Sequence, residues 1–160
     1  MKSSPIEQAH LALNAKMADF GGWLMPIEYP ASGVIEEYNA VRNQVGLFDV
    51  SHLGKISVVG EGASEFLNSQ FTNNLNRITN SQAQYTIMCN EVGGVIDDLI
   101  VYKNLDSDYF LIPNASNTAA VFEVLSSKAP TGIAIKNLHE NYGVFAVQGP
   151  KAIEVLKTIG

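Results

Sequence analysis

The chain has 160 residues, 46% hydrophobic and 16% charged, and carries a formal net charge of −6 at pH 7. That is enough apolar material for one ordinary core or two small ones, and it excludes a disordered chain. Without a basic cluster, the acidic balance argues against a nucleic-acid partner and against an anionic membrane surface.

Residues 1–8 hold one Lys and no apolar run of signal-peptide length, and no later run approaches a membrane span. A cytoplasmic location without membrane contact is the expectation. Cys89 is the single cysteine and has no internal disulfide partner, which fits a reducing compartment. It shares a predicted strand face with Tyr85 and Ile87, which suits a buried inert thiol better than a nucleophile.

From Pro5 to Ala15 the pattern predicts a short helix with Ile6, Ala9 and Leu13 on one side. A turn-rich passage follows from Phe20-Gly21-Gly22-Trp23 through Pro26 and Pro30. The two glycines before the only Trp mark a close approach of backbone to another segment or a ligand, or else the Trp plugs a core. Ser32 is the predicted N-cap of a helix bearing Val34, Ile35, Tyr38, Val41 and Val45, closed by Gly46.

A strand is predicted over Lys55–Val59, then a helix over Ala63–Phe71 with Ala63, Phe66, Leu67 and Gln70 in helical register. Strands over Ala83–Cys89 and Val95–Tyr102 flank the loop Asn90-Glu91-Val92-Gly93-Gly94 as a hairpin. Another strand covers Tyr109–Ile112. Ser116 or Asn117 is expected to cap a helix burying Val121, Phe122 and Leu125. Strands near Ile133–Lys136 and Gly143–Val147 and a helix opened by Gly149-Pro150 complete the chain.

The order from Lys55 to Lys136 is βαβββαβ, a ferredoxin-like split βαβ with one additional strand. The predicted class is α+β, mostly antiparallel sheets with flanking helices. Residues 55–137 form the ferredoxin-like subdomain, inserted between residues 1–54 and 138–160 of an incomplete second subdomain.

Several familiar sites are absent. No Walker loop or Gly-x-Gly-x-x-Gly helix opening occurs, and His10, His52, His139 and one Cys offer no zinc spacing, so no metal is expected. Asp49, Ser51 and His52 are too nearly consecutive to converge as a catalytic triad.

What remains is Gly93 to Tyr102. Strand alternation puts Val95, Asp97, Leu99 and Val101 on one face and Ile96, Asp98, Ile100 and Tyr102 on the other. Each face carries one carboxylate among three apolar or aromatic neighbours. Both acids lie close to a turn and are either solvated there or retained for chemistry, because burying a carboxylate without partners costs several kcal/mol.

This stretch is accompanied by Asp19-Phe20-Gly21-Gly22-Trp23-Leu24-Met25-Pro26, Phe48-Asp49-Val50-Ser51-His52-Leu53, Gln84-Tyr85-Thr86, Asn114-Ala115-Ser116 and Val147-Gln148-Gly149-Pro150. In that order, and over nearly the whole chain, these segments resemble the aminomethyltransferase (T-protein) family of the glycine cleavage system.

The resemblance implies a folate-binding T-protein fold and transfer of an aminomethyl group from the lipoylated H-protein to the co-substrate tetrahydrofolate, with release of ammonia. It implies that Asp97, the first Asp of the motif, is the catalytic group at the bridging nitrogen of tetrahydrofolate, ionised and held by partners. Leu53, Tyr85, Leu99, Val101 and Asn114 are implied folate contacts, and Asp98 is read as structural, capping a turn or pairing with a base. Leu53 stands where the family commonly has Met, one apolar contact in place of another. The family's proteins are much longer, so the chain is expected to be an amino-terminal part that is incomplete as an enzyme. A folate-dependent demethylase of the same fold and a folate-binding module without catalysis are the alternatives.

Overall fold

The computed structural model of the chain describes residues 1–159; Gly160, the last residue of the expected 138–160 segment, lies outside the described residues. The chain divides into two compact units, one from Met1–His52 with the segment beginning at Gly143, the other from Leu53–Tyr142.

The first unit opens with β1 (Lys2–Ser3), α1 (Glu7–Ala12), β2 (Lys16–Phe20) and β3 (Trp23–Glu28). β3 is flanked by β1, parallel, and β2, antiparallel. The passage expected to be turn-rich is therefore a hairpin. Gly21 and Gly22 have φ of 61° and 84°, the left-handed pair that a two-residue hairpin turn needs, and Asp19 Oδ1 accepts from Gly22 N at 2.8 Å. Pro26 disguises the strand in the sequence, but β1 pairs only with Trp23 and Leu24, so the missing N–H of Pro26 lies past the end of β1. Trp23 and Met25 alternate inward and are buried.

Next come α2 (Gly33–Asn43) and β4 (Gly46–Asp49). Ser32 precedes α2 but does not cap it. Its backbone is already in the helical region, and its hydroxyl donates to Tyr29 O at 3.1 Å and Glu37 Oε1 at 3.0 Å.

The second unit runs β5 (Ile56–Val59), α3 (Ala63–Gln70), β6 (Gln82–Cys89), β7 (Val95–Leu105), β8 (Asp108–Ile112), α4 (Thr118–Lys128) and β9 (Ala134–Asn137), the expected βαβββαβ order. Its five-stranded sheet has the order β6-β7-β8-β5-β9, and every neighbouring pair is antiparallel. The additional strand puts two strands between β5 and β6, which consequently run antiparallel, whereas a plain split βαβ has one strand between a parallel pair.

One face of this sheet is covered. Ile56, Val58, Met88, Leu99, Val101, Tyr109 and Leu111 point from it into a core shared with Phe66 and Leu67 of α3 and Val121 and Leu125 of α4. Each such side chain stabilises the unit by about 1.5–3 kcal/mol relative to exposure. The opposite face carries Tyr85, Asp98, Ile100, Tyr102, Phe110 and Ile112, in cross-strand register Tyr85 with Ile100, Tyr102 with Phe110 and Ile100 with Ile112. Cys89 lies on this second face and is half-buried, more accessible than its strand pattern suggests.

The chain returns to the first unit with β10 (Phe145–Gln148), antiparallel to β4, and α5 (Ala152–Ile159). A buried polar centre ties this unit together. Asp49 Oδ2 accepts from Ser4 Oγ and from His10 Nε2 at 2.8 Å, and Asp49 Oδ1 accepts from Ser51 N at 2.9 Å. His10 Nδ1 lies 2.8 Å from Tyr29 Oη. The histidine that meets Asp49 is thus His10, not the nearby His52, whose ring meets the Phe20 ring edge-on at 5.2 Å. Burial pushes the Asp49 carboxyl up, but hydrogen bonds from Ser4, Ser51 and His10 outweigh it and hold the group below its ordinary value of 3.8.

Two outcomes follow for stability. A carboxylate depressed below 3.8 stabilises the fold above that pH and loses this contribution as pH falls through its folded value. Asp49→Asn is therefore expected to flatten the acid limb of stability against pH, measured by urea unfolding from neutral pH down through the carboxylate range. In the second unit, a Cβ at Gly54 would stand 2.6 Å from Pro113 Cγ and closer still to Thr118 Oγ1. Gly54→Ala is expected to cost about 1–3 kcal/mol in the same measurement, through overpacking.

Candidate active site

The strand β7 presents its two acids to opposite sides of the sheet. Asp97 points to the covered face and is 1% exposed; Asp98 is exposed on the open face. Neither is left without partners, and the same loop serves both.

That loop joins β8 to α4. Gly54 N donates to Pro113 O at 2.8 Å, and the lack of a side chain at Gly54 lets the two backbones approach. Asn114 N then donates to Asp97 Oδ2 at 2.9 Å, while Asn114 Nδ2 and Asn117 Nδ2 donate to Asp97 Oδ1 at 3.0 and 2.8 Å. Among the described residues three N–H donors and no cation surround the carboxylate, a set suited to an acceptor. Asn117 occupies the N-cap position of α4, as expected, but its side chain makes no capping bond because it reaches Asp97 instead. The first turn of α4 has no acidic residue of its own, and Asp97 places its carboxylate beside that helix end.

The Asn114 carboxamide also crosses toward Asp98, donating to Asp98 O at 2.8 Å with Asp98 Oδ1 at 3.3 Å. From the neighbouring strand the Tyr85 hydroxyl donates to Asp98 Oδ2. That hydrogen bond raises the Tyr85 phenol above its ordinary value of 10.0; slight desolvation and the charges of Asp98 and Asp97 add to it. Asp98 is therefore fixed by a phenol and an amide, where a base or a turn is the expected partner.

The expected site residues divide by face. Tyr85, 56% exposed, and Asn114 gather at Asp98, and Leu53 is half-buried one residue before Gly54, at the same loop. Leu99 and Val101, 1% and 0% exposed, share the face of Asp97 but are part of the core beneath α3 and α4, so no surface of either is open to a ring. The neighbours of Asp98 on the open face are Ile100 and Tyr102. Asn117 is the member that sequence reading left out, because a polar residue before a helix already has a sufficient explanation as a cap. Among the described residues no three His, Cys, Asp or Glu side chains are grouped as a metal site.

A family model described as GCVT N-terminal domain matches residues 6–160. The chain belongs to this family. An aminomethyltransferase of Mycobacterium avium (strain 104) is 57% identical over 156 residues, 98% of this chain and 42% of that protein. One of Parafrankia sp. (strain EAN1pec) is 53% identical over 160 residues, 100% of this chain and 44% of that protein. The crystal structure of glycine cleavage system aminomethyltransferase T from Bartonella henselae superposes with a TM-score of 0.91 at 34% identity, covering 98% of this chain and 43% of that chain. The chain thus spans less than half the length of these relatives. Its α+β architecture is that of the GCVT N-terminal domain, and no helix among the described residues is long and apolar enough to cross a membrane.

In this GCVT N-terminal domain the Tyr85 phenol reports on Asp98. It is expected to titrate above pH 10.0 and to move back toward that value in Asp98→Asn. Carbon-13 tyrosine NMR, with the Tyr85 signal assigned by its loss in Tyr85→Phe, checks this.

Proposed function

We propose that the chain is the amino-terminal part of a tetrahydrofolate-dependent aminomethyltransferase of the glycine cleavage system, and that Asp98 is its reacting carboxylate. The reaction moves the aminomethyl carbon from the lipoyl sulfur of the H-protein to tetrahydrofolate, forming methylenetetrahydrofolate and releasing ammonia. The observation that carries this reading is an exposed carboxylate, anchored by Tyr85 and Asn114, on an otherwise apolar and aromatic sheet face.

Chemistry supports that placement. An arylamine nitrogen is a weak nucleophile; donating its N–H to a carboxylate raises its electron density and fixes its aim. The same negative charge favours the cationic character that develops on the carbon in transit. Asp97 is ill placed for this task, since it is 1% exposed and its oxygens already accept three hydrogen bonds. Asp98 keeps lone pairs free on the open side.

The folate contacts follow the same face. Ile100 and Tyr102 take the lining role that the motif suggested for Leu99 and Val101, and an aromatic ring stacks on such a surface with its polar edge toward Asn114. Tyr85 and Leu53 complete the proposed contacts. The lipoylated H-protein is the proposed donor, and a cytoplasmic location agrees with the lone cysteine.

The test uses residues 1–160 joined to the matching remainder of the Mycobacterium avium aminomethyltransferase. Transfer to tetrahydrofolate from aminomethylated lipoyl protein is expected, in preference to transfer from simple methyl donors. Asp98→Asn is expected to lower it about 100-fold with the fold retained. Near-normal turnover in that variant, or a preference for methyl donors, would sink the proposal.

A further inference from the structure

The geometry points to Asn117 and Asp97 as a positioning pair that aims Asp98 through Asn114, without touching substrate. This inference rests on the reading of Asp98 as the reacting group. It begins from a helix end that forgoes its own cap. An Asn at an N-cap ordinarily accepts from the backbone N–H of the first helical turn, and losing that bond destabilises a helix by an amount that selection notices. Here the Asn117 side chain makes no such bond and donates instead to Asp97 Oδ1 at 2.8 Å.

What Asn117 meets is an acid with no surface for a reactant, and what that acid holds is Asn114. Asp97 grips Asn114 twice, through Oδ2 to the backbone N–H at 2.9 Å and through Oδ1 to Nδ2 at 3.0 Å. With the peptide and the carboxamide of one residue both fixed, the second N–H of Asn114 Nδ2 has one direction left, toward Asp98 O at 2.8 Å and Asp98 Oδ1 at 3.3 Å. The chain of contacts therefore passes from α4 through the covered face to the open face. Asn117 orients Asp97, Asp97 orients Asn114, and Asn114 restrains the Asp98 carboxylate where Tyr85 donates to it.

A purely structural role for Asn117 makes a different prediction. Ser and Thr are good N-caps, but their hydroxyls are one bond shorter than the Asn amide. If Asn117 matters only to α4, Asn117→Ser, whose hydroxyl is free to cap the helix, leaves the open face unchanged. If it positions Asp98, the variant stays folded while Asp98 loses its fixed aim.

The experiment is carried out on this chain, with Asn117→Ser and Asn117→Thr as paired variants and Asp98→Asn as the limit. The first readout is the Tyr85 titration, which depends on no ligand; the charges facing Tyr85 are Asp98 and Asp97. The second is calorimetric titration of tetrahydrofolate into the same variants joined to the matching remainder of the Mycobacterium avium aminomethyltransferase. The expected result is a Tyr85 midpoint displaced toward that of Asp98→Asn in both cap-preserving variants, with tetrahydrofolate affinity about tenfold weaker. A Tyr85 midpoint equal to that of the parent chain in a folded Ser or Thr variant overturns the inference. A displaced midpoint in this chain, together with no tetrahydrofolate binding by the joined protein, supports the positioning pair and counts against the folate reading, so the two fail separately.

Discussion

A buried carboxylate with no cation beside it constrains everything around it. Asp97 lies on the covered face of the second unit's sheet, where an unpaired charge costs several kcal/mol, and it is kept there by three N–H donors from one short loop. To deliver those donors, residues 113–117 must pass close to the end of β7. That path requires a residue without a side chain at Gly54, which bonds Pro113 O. It also diverts Asn117 from capping α4, and it leaves the Asn114 carboxamide spanning from one face of the sheet to the other.

The period of two in a strand then separates adjacent acids into different tasks. Asp97 is surrounded by core on its own face and is consumed by hydrogen bonds. Asp98, one residue on, meets a phenol, an amide and open space. The Tyr85 phenol is made less acidic by this arrangement, because ionising it would lose the hydrogen bond to Asp98 and also place a second negative charge against that carboxylate. A carboxylate constrained from two sides on an apolar face needs little rearrangement to accept a further hydrogen bond, which is the preorganisation on which the proposed role of Asp98 depends.

Much of this was legible in the residues, and the exceptions share a cause. The strand and helix order of the second unit, the hairpin before β7 and the division of β7 into two faces all follow from alternation and turn chemistry, because those signals are local. Alternation does not say which face the helices cover. Both faces of β7 read alike, one acid among apolar neighbours, so the choice of Asp97 over Asp98 rested on resemblance, and the packing of α3 and α4 then buries Asp97 and leaves Asp98 exposed. The strand β3 was hidden by Pro26, whose tolerance depends on how short β1 is. Ser32 and Asn117 both occupy positions where a cap is expected, and both side chains are drawn to partners elsewhere, Glu37 and Asp97. The convergence of Ser4, His10, Tyr29 and Asp49 has no local signature, because it joins four segments.

The two units differ in what holds them. In the second, the core lies between sheet and helices, and Tyr85, Asp97, Asp98, Asn114 and Asn117 all belong to residues 53–142, so the aim of Asp98 is set within that unit. In the first, the periodic apolar stripes of α2 and α5 are encoded but uncovered among the described residues: Ile35 is 73% and Ile159 77% exposed, and neither helix has a buried residue. Apolar area left in water adds nothing to stability, so this unit relies on Trp23 and Met25 and on the hydrogen bonds that converge on Asp49. A carboxylate at the centre of a thin core makes cohesion depend on protonation in a way that an apolar centre does not. Acid should therefore loosen the first unit as the Asp49 carboxyl takes up its proton.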